Sequence, residues 1–196
     1  MSRVELYSLV RDFARGMELA DAKRPVSKKW QPGIGPHDER DVIRLVMDEM
    51  VAFNPAAYTG YITEEKYPES SSRCDLCLGE APDFDRAIEA KALRMLGDRG
   101  VVPGRDDVSK ILSPFEVQSS ALTDCTKLAG STLGRRKAIL IYAYDFPDYP
   151  MMNVIEAFEL LANLRTQMGK RNVAPFSGLI HPVHKEGAVF AWELLE

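Results

Sequence analysis

The sequence predicts a mixed α/β protein with helices packed against a mixed sheet. Three observations carry that expectation. Helical and strand periodicities follow one another in the order helix, three strands, helix, strand. The turn-forming residues Gly79-Glu80-Ala81-Pro82-Asp83 separate two alternating segments, which marks a hairpin. The run KAILIYAY from Lys137 to Tyr144 is apolar enough to be buried on both faces, as a central strand is.

Taken in order, a first helix is predicted from about Arg3 to Lys23, ending before Pro25. Pro36 suits a first helical turn, and helical periodicity then runs from His37 to Phe53, where Asn54-Pro55 stops it. Strands are predicted at Tyr58 to Thr63, Arg73 to Leu78 and Arg86 to Ala92. A polar loop with Gly97, Gly100 and Gly104 leads past Ser113-Pro114 into a helix from about Phe115 to Ala129. After the Lys137–Tyr144 strand come a helix from Asn153 to Lys170 and a last strand from Ala188 to Leu194.

A chain of 196 residues fits one folded unit with a substantial core. No apolar run approaches the ~20 residues that span a bilayer, so no membrane partner is expected. The N-terminal segment mixes charges into its apolar positions and lacks a signal core, and the three cysteines, Cys74, Cys77 and Cys125, suit free thiols. A cytoplasmic protein is the expectation. The net charge of −4 excludes a surface coated in positive charge, so a nucleic-acid partner must meet local basic patches. Candidates are Lys23, Arg24, Lys28 and Lys29, and Arg135, Arg136 and Lys137; the alternative is solvated loops.

The chemistry concentrates in the predicted hairpin. Strand alternation puts Arg73, Asp75 and Cys77 on one face, with Cys74, Leu76 and Leu78 on the other. It also puts Glu89 and Lys91 together, opposite Ile88 and Ala90. Pairing as a hairpin lets Asp75 and Glu89 converge. Two such carboxylates offer hard oxygen ligands to Mg²⁺, for which Mn²⁺ can substitute; the ion shares its remaining positions with water and a substrate phosphate. Lys91 could orient or activate the attacking water and stabilise developing charge. The alternative is two surface strands with a Glu and a Lys on a solvated face.

Asp75, thirteen further residues and then Glu89-Ala90-Lys91 resembles the PD-(D/E)xK nuclease signature. That family's restriction-endonuclease-like α-β-β-β-α-β core corresponds to the predicted order over about residues 36–144, with the 3–23 helix and the 151–196 segment as extensions. The resemblance implies metal binding by Asp75, Glu89 and the Ala90 carbonyl, with Lys91 as the catalytic lysine. Cys74 stands where the family name has proline. Asp21-Ala22-Lys23 and Glu64-Glu65-Lys66 also match the three-residue motif, but only the Asp75 and Glu89 pair has both acids on apolar-backed strands.

On the wheel of the 37–53 helix, Glu39 falls within the apolar stripe of Val42, Ile43, Val46, Met50 and Phe53. A carboxylate aimed at a core needs a partner or a metal. It resembles the extra acid that many of these nucleases carry on the first core helix; the alternative is an acid favoured by the helix dipole. Ser120, Asp124, Lys127 and Ser131 form a polar edge beside an apolar face of Val117, Ala121, Cys125 and Leu128. The resemblance lets Gln118, Ser120 or Lys127 approach the site or the DNA backbone.

Other signals are weaker. Alternation points Cys74 and Cys77 to opposite faces, and no second cysteine pair completes a zinc site. His181 and His184 flank Pro182 with no evident acidic partner and read as a loop. Gly33-Ile34-Gly35 lacks the third glycine of a dinucleotide site. The functional expectation is therefore a Mg²⁺-dependent DNA endonuclease of restriction or defence type, with a homodimer expected if both strands are cut. The rivals are a non-enzymatic DNA-binding or assembly protein on the same core, and a nuclease acting on RNA.

Overall fold

The computed structural model describes residues 4–23, 31–102 and 107–195. Its helices are α1 (Leu6–Ala22), α2 (Glu39–Phe53), α3 (Pro55–Tyr58), α4 (Ser109–Leu112), α5 (Ala121–Ala129) and α6 (Met151–Asn163). Its strands are β1 (Ile62–Lys66), β2 (Arg73–Gly79), β3 (Phe84–Leu93), β4 (Arg136–Tyr144), β5 (Asn172–Phe176) and β6 (Gly187–Leu194). They form one mixed sheet in the order β1-β2-β3-β4-β6-β5, in which β3 and β4 are parallel and the other neighbours antiparallel. Arg3, Arg24, Lys28, Lys29 and Gly104 lie outside the described residues. Among the described residues no helix is long and apolar enough to cross a membrane.

Both faces of the sheet are covered. Leu9, Phe13 and Met17 of α1 and Val42, Val46 and Met50 of α2 pack on Leu76, Ile88, Leu140 and Val189. On the other face Leu122, Cys125 and Leu128 of α5 and Ile155 and Phe158 of α6 pack on Ala87, Ile139, Ile141 and Trp192. The alternation along β3 and β4 thus feeds two cores, and each buried large apolar side chain contributes ~1.5–3 kcal/mol. β4 is buried on both faces from Ala138 to Tyr144, as its unbroken apolar run predicts. Gly16 lets α1 approach α2 closely: a Cβ there would lie 2.9 Å from Val46 Cγ1.

Several expected boundaries differ. The first strand starts at Ile62, because Pro55 opens the helical turn α3 and Gly60, at φ 89°, redirects the chain. The helix expected from Phe115 begins at Ala121, after a 3₁₀ turn at Glu116–Gln118 and Ser119 at φ 39°. Val117 is consequently exposed and is not part of the apolar face. α2 starts at Glu39, two residues later than expected, because Asp38 accepts the Asp41 N–H as its N-cap. α6 ends at Asn163, so the segment expected as its last turns leads into β5, an edge strand that tolerates Pro175.

Alternation also fails at Cys74, which joins Cys77 in the α5-side core while Leu76 and Leu78 face α1 and α2. The irregularity lies at Asp75: opposite it in β1, Glu64 takes φ 60°, and neither residue joins the regular pairing. All three cysteines are buried free thiols.

Gly187 leaves the least room for a side chain among the described glycines: a Cβ on it would lie 1.9 Å from the Ala143 carbonyl oxygen and 2.8 Å from Phe176 Cζ. Overpacking against backbone leaves no rotamer to relieve it, so Gly187→Ala is expected to destabilise by ~3 kcal/mol. Thermal melting checks this: a midpoint lowered by roughly 6–12 °C is expected, and a shift under about 2 °C would contradict the close approach.

Candidate active site

The hairpin register, continued one residue past Leu76 and Ile88, sets Asp75 opposite Glu89, but regular pairing of β2 and β3 stops before it. Beyond that point β3 still has amide groups to satisfy. Asp75 Oδ2 accepts the Ala90 N–H at 2.8 Å, and Glu39 Oε2, from the first turn of α2, accepts the Ala92 N–H at 2.7 Å. Two carboxylates therefore replace the missing strand along the edge of β3 and are fixed by buried backbone. Glu89 projects beside them, near enough for the Asp75 carboxylate to add to burial in raising its pKa.

Lys91 occupies the middle of this group. Its Nζ lies 3.4 Å from Glu39 Oε1, 3.7 Å from Asp75 Oδ2 and 2.8 Å from Asp124 Oδ2, and donates to the Ala90 carbonyl at 3.1 Å. Lys127 Nζ bridges Glu89 Oε1 and Asp124 Oδ1, each at 2.7 Å. The buried Tyr67 hydroxyl donates to the same Glu89 oxygen at 2.5 Å.

The electrostatics follow from this crowding. Burial, then the neighbouring Asp75 and Asp124, push the Glu89 carboxyl well above its ordinary value. Burial also raises Glu39, with Asp75 adding to the effect and Lys91 and the Ala92 amide opposing it. For Lys91, burial works to lower the pKa, but Glu39, Asp124, Asp75 and Glu89 outweigh it and raise it. Lys127 follows the same pattern, burial being outweighed by Glu89 and Asp124. Carboxylates held in contact this way require a proton or a cation between them. Hard oxygen donors beside a main-chain carbonyl are a set that could hold a small divalent cation, Asp75, Glu89 and the Ala90 carbonyl being the candidates.

The four residues singled out from the sequence, Glu39, Asp75, Glu89 and Lys91, are thus brought together. Of the residues suggested for nucleic acid, Lys127 lies in the cluster. Ser120 is fully buried; its hydroxyl donates to the Ser113 carbonyl at 2.5 Å and caps α5 through the Thr123 N–H, which removes it from any substrate contact. Gln118 sits exposed on the 3₁₀ turn. Arg136 pairs with Asp85 and lies beside Arg86, three residues before Glu89 along the sheet, or ~10 Å away. Arg135 is exposed at the same end.

Sequence reasoning missed the roles of Asp124 and Tyr67. Asp124 left a signal, an acid three residues before Lys127 on one helical edge; Tyr67, just past β1, left none.

His181 and His184 lie in a loop, as predicted, but they do have an acidic neighbour. His184 Nε2 is 3.5 Å from Asp98 Oδ1, and atoms of all three residues lie within 4.8 Å of one another. Distance alone would admit a cation; orientation argues otherwise. The rings stack with centroids 4.6 Å apart and planes at 17°, so their in-plane lone pairs run side by side. His181 Nδ1 also accepts the Val183 and His184 N–H groups, which leaves the proton of the neutral ring on Nε2.

Burial, then His181 and Arg94, hold His184 down to about 4 from an ordinary 6.5. A depressed histidine takes up its proton in the unfolded chain first. Its stability contribution is full above pH ~6.5 and is lost as pH falls toward 4, by roughly 3 kcal/mol. Urea unfolding of wild type and His184→Phe at pH 7 and 4.5 is expected to show a shallower pH dependence for the variant; equal slopes would contradict the assignment.

Comparison of the chain with protein-family models, curated proteins and solved structures finds no match.

Proposed function

We propose that the chain is a Mg²⁺-dependent nuclease of the PD-(D/E)xK type, with a restriction-endonuclease-like core, that hydrolyses DNA phosphodiester bonds. The observation that carries this reading is the splayed hairpin, where Asp75 and Glu39 cap the amides of β3 and meet Glu89 around Lys91. The mixed sheet with helices on both faces agrees with it.

When bound, Mg²⁺ supplies Lewis acidity that makes water more acidic and offsets charge on the phosphate. Asp75, Glu89 and the Ala90 carbonyl would hold it. Lys91, kept as an ammonium by its carboxylate neighbours, acts as a donor that orients water and balances charge rather than as a base. Glu39 and Asp124 fix the Lys91 ammonium in place. A cavity of about 390 Å³ adjoins Asp124 and Lys127 and is lined by Ser70, Ser72, Glu116, Thr123 and Arg165; its hydroxyls and guanidinium suit a phosphate backbone, whereas Glu116 does not. Cutting both strands calls for a homodimer.

The test is incubation of the purified protein with single-stranded, duplex and supercoiled DNA and with RNA, in Mg²⁺, Mn²⁺ or EDTA. Metal-dependent cleavage of DNA is expected. Cleavage of RNA alone would reassign the substrate, and DNA retention without cleavage would favour the binding-protein rival.

A further inference from the structure

Resting on that reading of the site, we infer that Lys127 is an internal counter-ion for the divalent-cation site. Its ammonium leaves Glu89 when the cation binds and turns into the adjoining hydroxyl-lined cavity to meet a substrate phosphate.

The starting point is an imbalance in what holds Glu89. Its Oε1 is taken twice over, by Lys127 Nζ at 2.7 Å and by the Tyr67 hydroxyl at 2.5 Å. A cation drawing on Oε1 must therefore displace the Lys127 ammonium, and one drawing on Oε2 binds against its charge. The cluster as a whole sets four carboxylates, Glu39, Asp75, Glu89 and Asp124, against two ammoniums. Without a divalent ion, the chain's own lysines are what offset the crowded acids.

The two lysines are not equivalent. Lys91 has a side chain only 10% exposed, rises from a central strand and touches three carboxylates and a carbonyl. Lys127 is 31% exposed, comes from α5 and lies with its Nζ 5.1 Å from the Tyr67 ring centroid. It also lines the 390 Å³ cavity, with Ser70, Ser72, Thr123, Arg165 and the acids Glu116 and Asp124. A flexible four-carbon stem with a compact charge can change partners there without moving the backbone. Having left Glu89, the ammonium would keep Asp124 and face hydroxyls, the Arg165 guanidinium and the Glu116 carboxylate, so that with Arg165 it offers a phosphate two cations in one cavity. Cation and phosphate binding are thereby coupled, and the coupling is reciprocal.

The experiment is calorimetric titration of Mn²⁺ into wild type, Lys127→Met, Lys127→Arg and Asp75→Asn, in chloride and in sulfate at matched ionic strength, sulfate standing for the phosphate. Wild type is expected to bind Mn²⁺ about fivefold more tightly with sulfate. Lys127→Met is expected to bind about tenfold more tightly than wild type in chloride and to ignore sulfate, while Lys127→Arg resembles wild type. Lys127→Gln serves the same comparison if the Met variant does not fold. Binding by Lys127→Met no tighter than wild type overturns the inference, and with Mn²⁺ still bound through Asp75 it leaves the nuclease reading standing. If neither protein binds Mn²⁺, both fall. Tight Asp75-dependent binding by Lys127→Met, in a protein that cleaves no nucleic acid, supports the counter-ion role and removes the nuclease reading.

Discussion

Lys91→Ala is expected to lower the rate of DNA cleavage by about a thousandfold or more, the scale seen when a charge-stabilising donor is removed from a closed site. The reason is geometric. Among the described residues Lys91 Nζ is the one cation that touches Glu39, Asp75 and Asp124 together, and it reaches the Ala90 carbonyl as well. Its loss also leaves acids facing one another in a buried site, so the metal-free variant should melt lower, by an amount corresponding to ~3–5 kcal/mol. Added Mn²⁺ should restore part of that loss. Single-turnover cleavage and thermal melting read the two effects separately. Cleavage within tenfold of wild type would remove Lys91 from the chemistry.

Glu89→Gln separates function from stability in the opposite direction. Losing a carboxylate from the proposed ion site should abolish detectable cleavage and weaken Mn²⁺ binding by at least about a hundredfold. The fold should gain. Burial and the neighbouring acids raise the Glu89 carboxyl well above its unfolded value, so its contribution to stability is fully present below pH ~4.5 and is lost as pH rises through the folded value. Glutamine has no such loss. Melting curves in EDTA from pH 5 to 9 are expected to show the variant overtaking wild type, with a gap that widens as pH rises. A variant less stable than wild type throughout that range would contradict the burial and charge argument.

Much of this arrangement was legible in the sequence because it depends on local rules. The apolar run of β4 and the turn residues between β2 and β3 declared the sheet, and alternation put Glu89 beside Lys91. The period of α2 aimed Glu39 inward, which is how it reaches the Ala92 N–H. What escaped notice depends on departures from regularity. The ladder ends at Asp75, with Glu64 opposite it in the left-handed region, and no alternation rule foresees that. Cys74 therefore shares a core with Cys77 instead of opposing it.

Long-range contacts were harder still. Asp124 belongs to the site because α5 packs on the same face of β3 that Glu89 and Lys91 project from, and helical spacing alone reports only that it shares an edge with Lys127. Ser120 shows the converse: a polar residue on that edge is occupied as an N-cap, since the helix starts six residues later than its periodicity suggests. The neighbour of His184, Asp98, comes from the distant loop after β3 and has no spacing relation to it.

The most direct measurement of the central claim is cleavage of one supercoiled plasmid by wild type and Asp75→Asn, purified side by side and given Mg²⁺ or EDTA. The account predicts nicked or linear product from wild type with Mg²⁺ and none from the variant or from either protein in EDTA. Equal cleavage by wild type and Asp75→Asn, or none by wild type under any of these conditions, would contradict it.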